Sequence, residues 1–372
     1  MEYCVIVTGG GWGGCAAALE SARLGVRTIL LERTDMLPGT GLAGGIMKNN
    51  GRLTAEEEMK AMGGGRLFEV TEENARHRQV NFPGHSHAML YDVGKISGAV
   101  ERCLRENGAE VVCGARVAGI RQEGEKLLWV ETEQGQRFEG DVFVDATGTA
   151  GPMSQCRQYG NGCAMCVLRC PAFGGRVSLC ALAGVQERAG RREEGAFGSM
   201  SGSCKLLKES LSPEIQKTLA EKGTALVPVP KELREEHLAE KACQQYALRP
   251  FAENLILLDT GHAKLMAPWY PLHKLRQIPG MENARFEDPY AGGRGNSVRF
   301  LAMAPRENTM QVTGKKNLFC AGEKAGPMVG HTEAIVTGTL AGYNAVRYLR
   351  GEPLLTLPDS LACGDLISCA KE

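Results

Sequence analysis

The chain has 372 residues, enough for one large domain or two moderate ones with a substantial core. Its apolar fraction of 43% and charged fraction of 23% are those of an ordinary globular protein. Lys plus Arg equals Asp plus Glu at 43 each, which argues against a surface built mainly for phosphate backbones.

The N-terminus is strand-like and lacks the basic segment, apolar run and cleavage site of a signal peptide. No stretch approaches the ~18 uninterrupted apolar residues of a membrane span. The reading is a cytoplasmic protein with no membrane partner. In a long chain of this kind the 14 cysteines read as reduced, mostly buried thiols rather than as a disulfide framework.

In chain order, Cys4–Thr8 is a short apolar strand that ends in Gly9-Gly10-Gly11-Trp12-Gly13-Gly14. Cys15–Leu24 follows as an Ala-rich helix stopped by Gly25, and Val26–Leu31 is a second buried parallel strand. Strand, helix and strand with tight turns make a βαβ unit. Pro38–Gly45 and Gly63–Gly65 read as Gly-rich loop. Val93–Asn107 is a helix and Glu110–Cys113 a strand. Arg116–Glu123, Lys126–Glu131 and Gln136–Glu139 look like antiparallel strands, and Asp141–Asp145 is a buried strand running into Ala146-Thr147-Gly148.

From about Gly151 to Pro305 the character changes. This stretch holds a cysteine cluster, a charged helical run near Pro230–Leu248 and the Pro-flanked pair Trp269-Tyr270. Asn317–Ala321 returns to a buried strand, Gly322–Gly330 is a turn, and Thr332–Leu349 is a small-residue helix. The expected fold is α/β: a discontinuous three-layer Rossmann-like domain from 1–150 and 311–372, with a substrate domain from 151–310 inserted.

The strongest local signal is Gly9-x-Gly11-x-x-Gly14 between a strand and a helix. The first glycine permits the tight turn, the second lets the backbone approach a pyrophosphate, and the third lets helix and strand pack closely. The phosphates then meet free N–H groups and the positive end of the helix dipole. Glu32 closes the second strand about 20 residues on, where a carboxylate accepts from an adenosine ribose.

Three further features favour FAD over NAD. The loop after Glu32 and Arg33 carries Gly39, Gly41, Gly44 and Gly45, like the loop that covers the pyrophosphate in flavoproteins. Asp141–Gly148 resembles the flavoprotein strand and turn reading ATG, and Asn317–Gly322 resembles a C-terminal FAD strand. Val117 is a further candidate for the adenosine end.

The segment Asn317–Ser368 resembles the C-terminal FAD segment of two groups of tRNA-modifying flavoproteins. These are the glucose-inhibited division protein A family and the folate- and FAD-dependent tRNA uracil methyltransferases. Ala321, Gly322 and Glu323 stand at the strand end. Gly326, Gly330, His331 and Glu333 fill a Gly-x-x-Gly-Tyr-x-Glu turn, with His331 replacing the tyrosine. Gly338, Ala341, Gly342, Asn344 and Ala345 fill the helix that follows, and Ile278–Asn283 resembles a stretch preceding that segment. The resemblance implies that Gly322, Glu323, Gly330, His331 and Thr332 face the flavin. A helix starting at Gly330 or His331 would stabilise anionic reduced flavin. His331 either donates to the flavin or substrate, or caps the helix.

The cysteine-dense Gly160–Pro171 belongs to neither RNA-modifying pattern. Cys163-x-x-Cys166-x-x-x-Cys170-Pro171, with Cys156 upstream, resembles the end of a ferredoxin run. Packing thiols, a redox dithiol at Cys163 and Cys166, and an iron–sulfur site stay open, and no metal is assigned. Arg294, in a Gly-rich loop, is either a clamp for an anionic substrate or a solvated arginine. His85 and His87 read as surface or substrate-side residues, Lys231–Lys241 as a solvated face, and Trp269 and Tyr270 as packing.

The expected function is an FAD-dependent oxidoreductase passing hydride or electron pairs between bound flavin and a substrate, most simply a small molecule, held in the inserted domain. Its electron donor is unidentified, and nucleic acid is the disfavoured partner. The alternatives are a folate-dependent RNA uracil methyltransferase and an electron-carrying subunit of a larger complex.

Overall fold

The computed structural model describes residues 3–49, 52–148, 177–191, 203–236, 238–241, 243–287 and 301–371, with the backbone of 199–200 and 298–299. Cys156, Cys163, Cys166, Cys170 and Arg294 lie outside the described residues.

Strands β1 (Cys4–Thr8), β2 (Arg27–Leu31), β6 (Ala109–Val112) and β10 (Val142–Asp145) join the Leu318–Cys320 strand in one parallel sheet. Its order is Leu318–Cys320, β10, β1, β2, β6. Val5 lies between Val142 on one side and Thr28 on the other. All five residues of β1 are buried, as a central strand covered on both faces requires. Helix α1 (Trp12–Arg23) begins three residues before the expected start, because the Gly11 carbonyl already accepts from the Cys15 N–H at 2.9 Å.

The antiparallel strands β7 (Val117–Glu123), β8 (Lys126–Thr132) and β9 (Arg137–Glu139) share an apolar cluster with that sheet through Val117, Leu127, Val130 and Phe138. Buried Asn317 bolts them on. Its amide exchanges two 2.8 Å bonds with the Leu127 backbone and donates a third, also 2.8 Å, to the Asp141 carbonyl. With helix α5 (Ile96–Glu106) and the His331–Leu349 helix, these pieces form the layered α/β core.

A second body of structure contains the antiparallel sheet Cys204–Leu206, Ala263–Leu265, Asn254–Asp259 and Thr224–Pro228. The Gly-rich loop carries the short helix α2 (Gly41–Gly44), and the stretch after it folds as β3 (Ile46–Met47), α3 (Arg52–Ala61), α4 (Arg66–Glu73), β4 (Ala75–Phe82) and β5 (His85–Tyr91). One apolar cluster combines Ile46, Val80, Phe82 and Leu90 with Phe251, Ile256, Leu258 and Met266. Residues from both sides of position 150 therefore build this body.

The charged run 230–248 is not a helix. It breaks into three short turns at Lys231–Leu233, Leu238–Glu240 and Gln244–Tyr246. Its apolar residues serve two separate clusters, Leu233 packing on one and Leu238 and Tyr246 on the other. Tyr270 packs as expected, donating to the Leu233 carbonyl at 2.6 Å. Among the described residues, no helix is long and apolar enough to cross a membrane.

Candidate functional site

A cleft of about 1110 Å³ lies over the C-terminal ends of β1, β2, β10 and the Leu318–Cys320 strand. Gly9, Gly11, Glu32, Arg33, Val117, Ala146, Thr147, Gly148, Gly322, Glu323, Gly330 and His331 all line it. Three other candidates lie elsewhere. Gly14 is beneath the turn, Gly41 packs on Trp12, and Thr332 lines a second cavity.

The three motif glycines divide the work. Gly9 has φ +101°, and a β-carbon there would lie 2.4 Å from the Ala146 carbonyl oxygen. One on Gly14 would lie 1.8 Å from the Gly9 carbonyl oxygen, so helix and strand touch only without it. A β-carbon on Gly11 would meet nothing closer than the Pro38 carbonyl oxygen at 4.0 Å. The space at Gly11 opens into the cleft, which suits a pyrophosphate.

Carboxylates hold the surrounding turns. Glu32, 7% exposed, accepts from the Gly10 N–H at 2.6 Å and from the Thr34 N–H and hydroxyl at 2.8 and 3.0 Å. Fully buried Asp145 accepts from the Thr147 N–H and hydroxyl at 3.1 and 2.7 Å, and from the Cys180 N–H at 2.8 Å. It thereby shapes the Ala146–Gly148 turn. The starts of α1 and of the His331–Leu349 helix both border the cleft, so two positive dipole ends meet there.

A second cavity of about 910 Å³ shares Thr40, Val329, Gly330 and His331 with the first. Asn49, Arg52, Lys241, Cys243, Tyr246 and Lys264 line its other walls. Lys264 donates to the Ala43 carbonyl at 2.7 Å and to that of Gly44. Lys241, read from sequence as part of a solvated face, is instead packed inward. It lies 4.5 Å over the Phe251 ring and donates to the Met266 carbonyl at 3.3 Å. Burial pulls its ammonium down to about 8.

His331 stands at the junction of the two spaces. Its Nδ1 lies 3.4 Å from the Tyr91 hydroxyl, which donates to the Gly41 carbonyl at 2.6 Å. A β-carbon on Gly44 would fall 1.6 Å from the His331 Cε1, so that glycine makes room for the ring.

His85 is not at the surface. It is 5% exposed and stacks between Phe82 and Tyr246, at ring distances of 4.7 and 4.6 Å. Burial pulls its ring down to about 4, and it stiffens the wall that carries Tyr246. His87 is exposed, its Nδ1 3.0 Å from the Gln79 amide oxygen. Among the described residues, no group of three or more His, Cys, Asp or Glu side chains is arranged to hold a metal ion.

None of the second cavity's polar lining other than His331 and Thr332 stood out in the sequence. These residues come from separate segments, and the one local hint was the inward-facing aromatic Tyr246 within a polar run.

Comparison with known proteins places this architecture. The model of the family described as "Glucose inhibited division protein A" matches residues 4–260 and 263–353. A tRNA uridine 5-carboxymethylaminomethyl modification enzyme MnmG from Syntrophotalea carbinolica is 24% identical over 99% of this chain and 67% of that protein. A methylenetetrahydrofolate–tRNA-(uracil-5-)-methyltransferase TrmFO from Dictyoglomus thermophilum is 37% identical, but over 25% of this chain and 20% of that protein. The chain thus spans about a fifth of that curated relative in the region where they match. The structure of Aquifex aeolicus GidA superposes with a TM-score of 0.72 at 16% identity. That likeness covers 100% of this chain and 67% of the other, and it establishes the shared fold. The chain belongs to the glucose inhibited division protein A family of FAD-binding flavoproteins.

Proposed function

We propose that the protein is an FAD-dependent oxidoreductase, passing hydride or electron pairs between flavin in the first cleft and a substrate in the second cavity. The observation that carries this reading is the wall common to both, formed by Thr40, Val329, Gly330 and His331. FAD supplies the redox chemistry when bound, and the protein supplies position and field. Gly11 leaves room for the pyrophosphate, Glu32 offers a carboxylate to the ribose, and the two helix starts favour negative charge. The test is anaerobic mixing of FAD-loaded protein with NADH, NADPH or reduced ferredoxin. At least one donor is expected to bleach the flavin band, and a flavin that none of them reduces would count against the reading.

A finer reading is that the second cavity takes a uridine base of RNA. Lys241 and Lys264 bring positive charge to its walls beside the paired Arg52, although the chain as a whole is neutral. The relatives' names, which refer to tRNA uracil and tRNA uridine, support the same substrate class. An unmodified tRNA transcript with methylenetetrahydrofolate and a reductant separates the cases. Formation of 5-methyluridine supports the folate-dependent chemistry. Steeply salt-dependent binding without methylation points to another uridine modification. Absence of binding returns the substrate to a small molecule.

A further inference from the structure

Arg52 reaches from the wall of the second cavity to the first turn of the His331–Leu349 helix, whose start borders both cavities. Its Nε lies 2.9 Å from each oxygen of Glu333, and its Nη2 lies 2.7 Å from Oε1. The same guanidinium donates to the Gln245 side-chain oxygen and lies 3.8 Å from the Cys243 sulfur. The two ionic side chains are 14% and 15% exposed, so solvent screens them little.

The position of Glu333 gives the pair its consequence. A β-carbon on Gly330, the residue that caps this helix, would lie 1.9 Å from a Glu333 oxygen. The carboxylate therefore sits against the helix start and, left alone, would offset the positive dipole end that faces the cleft. Arg52 neutralises it.

We propose that Arg52 is a positioning residue that sets the reduction potential of bound FAD by cancelling the charge of Glu333. The inference rests on the reading that the first cleft holds FAD. Reduction adds negative charge to the flavin, so an unpaired carboxylate nearby disfavours the reduced form and an unpaired guanidinium favours it. The same side chain forms part of the second cavity's wall, so the redox level of the cofactor and the shape of the substrate space share one anchor.

The test is spectroelectrochemical titration of FAD-loaded wild type, Arg52→Gln, Glu333→Gln and the double variant. Arg52→Gln is expected to lower the midpoint potential, with the reduction constant falling about tenfold, about 30 mV for a two-electron couple. Glu333→Gln is expected to raise it, and the double variant to return close to wild type. A purely structural role would not reverse sign between the two single variants. Should Arg52→Gln fail to fold, an unchanged or lowered potential in Glu333→Gln would overturn the proposal, and a raised one would support it. FAD-loaded variants that all share the wild-type potential would overturn the inference alone. Wild-type protein that takes up no FAD would overturn the reading beneath it.

Discussion

A β-carbon added to Gly338 would lie 2.1 Å from the Gly13 carbonyl oxygen, so this pair sets how closely helix α1 and the His331–Leu349 helix cross. One turn on, a β-carbon at Gly342 would lie 2.4 Å from the Ala17 carbonyl oxygen, and the Ser21 hydroxyl donates to the Gly342 carbonyl at 3.1 Å. This contact brings both helix starts to one cleft. Replacing Gly338 with Ala improves intrinsic helix propensity by about 1 kcal/mol. The backbone clash is expected to outweigh that gain, for a net destabilisation of ~1–3 kcal/mol in urea unfolding and weaker FAD retention. A variant as stable as wild type would mean the helices part without cost.

Glu32 ties the glycine turn to the end of β2 and also borders the cleft. Glu32→Gln keeps the shape but weakens its hydrogen bonds to the turn and to a ribose. FAD affinity is expected to fall by ~1–3 kcal/mol, read by fluorescence titration. Unchanged affinity would move the adenosine contact elsewhere, with Arg33 and Val117 the next candidates.

Lys241 makes stability depend on pH. Burial lowers its ammonium from 10.5 to about 8, so the folded state carries the full cost of the charge below about pH 8. Between there and 10.5 the folded state has released the proton and the unfolded state still holds it, so this contribution to stability rises with pH. Lys241→Met is expected to stabilise the protein by about 2–3 kcal/mol at neutral pH, part of the gain being offset by loss of the Phe251 contact. The gain should vanish near pH 10.5. Urea titrations at both pH values check this, and an equal gain at both would refute the assignment.

Asp259 joins the two sides of the second body. It accepts from Arg76 at 3.0 and 3.2 Å, from Lys208 at 2.8 Å and from the Gly261 N–H at 3.2 Å, and it pairs with His77 Nε2 at 2.9 Å. Burial alone would raise its carboxyl, but the bonds from Lys208, His77 and Arg76 outweigh it and hold the group well below its ordinary value. The stability it contributes is therefore present above the ordinary carboxylate value of 3.8 and is lost as pH falls below it. Asp259→Asn is expected to cost ~1–3 kcal/mol at neutral pH. The difference from wild type should shrink in acid, and a constant difference from pH 7 down to strong acid would contradict the account.

The parts that were legible in the sequence are those written locally. Gly9, Gly11 and Gly14 sit between an apolar run and an Ala-rich period, and they map to two close backbone contacts, at Gly9 and Gly14, and one open space, at Gly11. The Asp145–Gly148 turn and the His331–Leu349 helix carry similar short signatures. The second cavity was not legible, because Asn49, Arg52, Lys241 and Lys264 meet only once distant segments fold together. Charge misled at Lys241, since a lysine in a charged run gives no sign that it packs over Phe251. His85 misled because its second stacking partner, Tyr246, is far away in the chain from the neighbouring Phe82. Helix α3 hid because one of its three buried residues is Glu56, made tolerable by Lys60 at 2.9 Å.

The central claim is that the Gly9–Gly14 turn and the two helix starts hold FAD. Its most direct test is to denature the purified protein and identify and count the released flavin, with FAD reconstitution where the preparation is colourless. The expected result is FAD, close to one per chain, and its loss in Gly11→Trp, whose side chain would occupy the open space at that turn. Wild-type protein that releases no flavin and ignores added FAD would contradict the account.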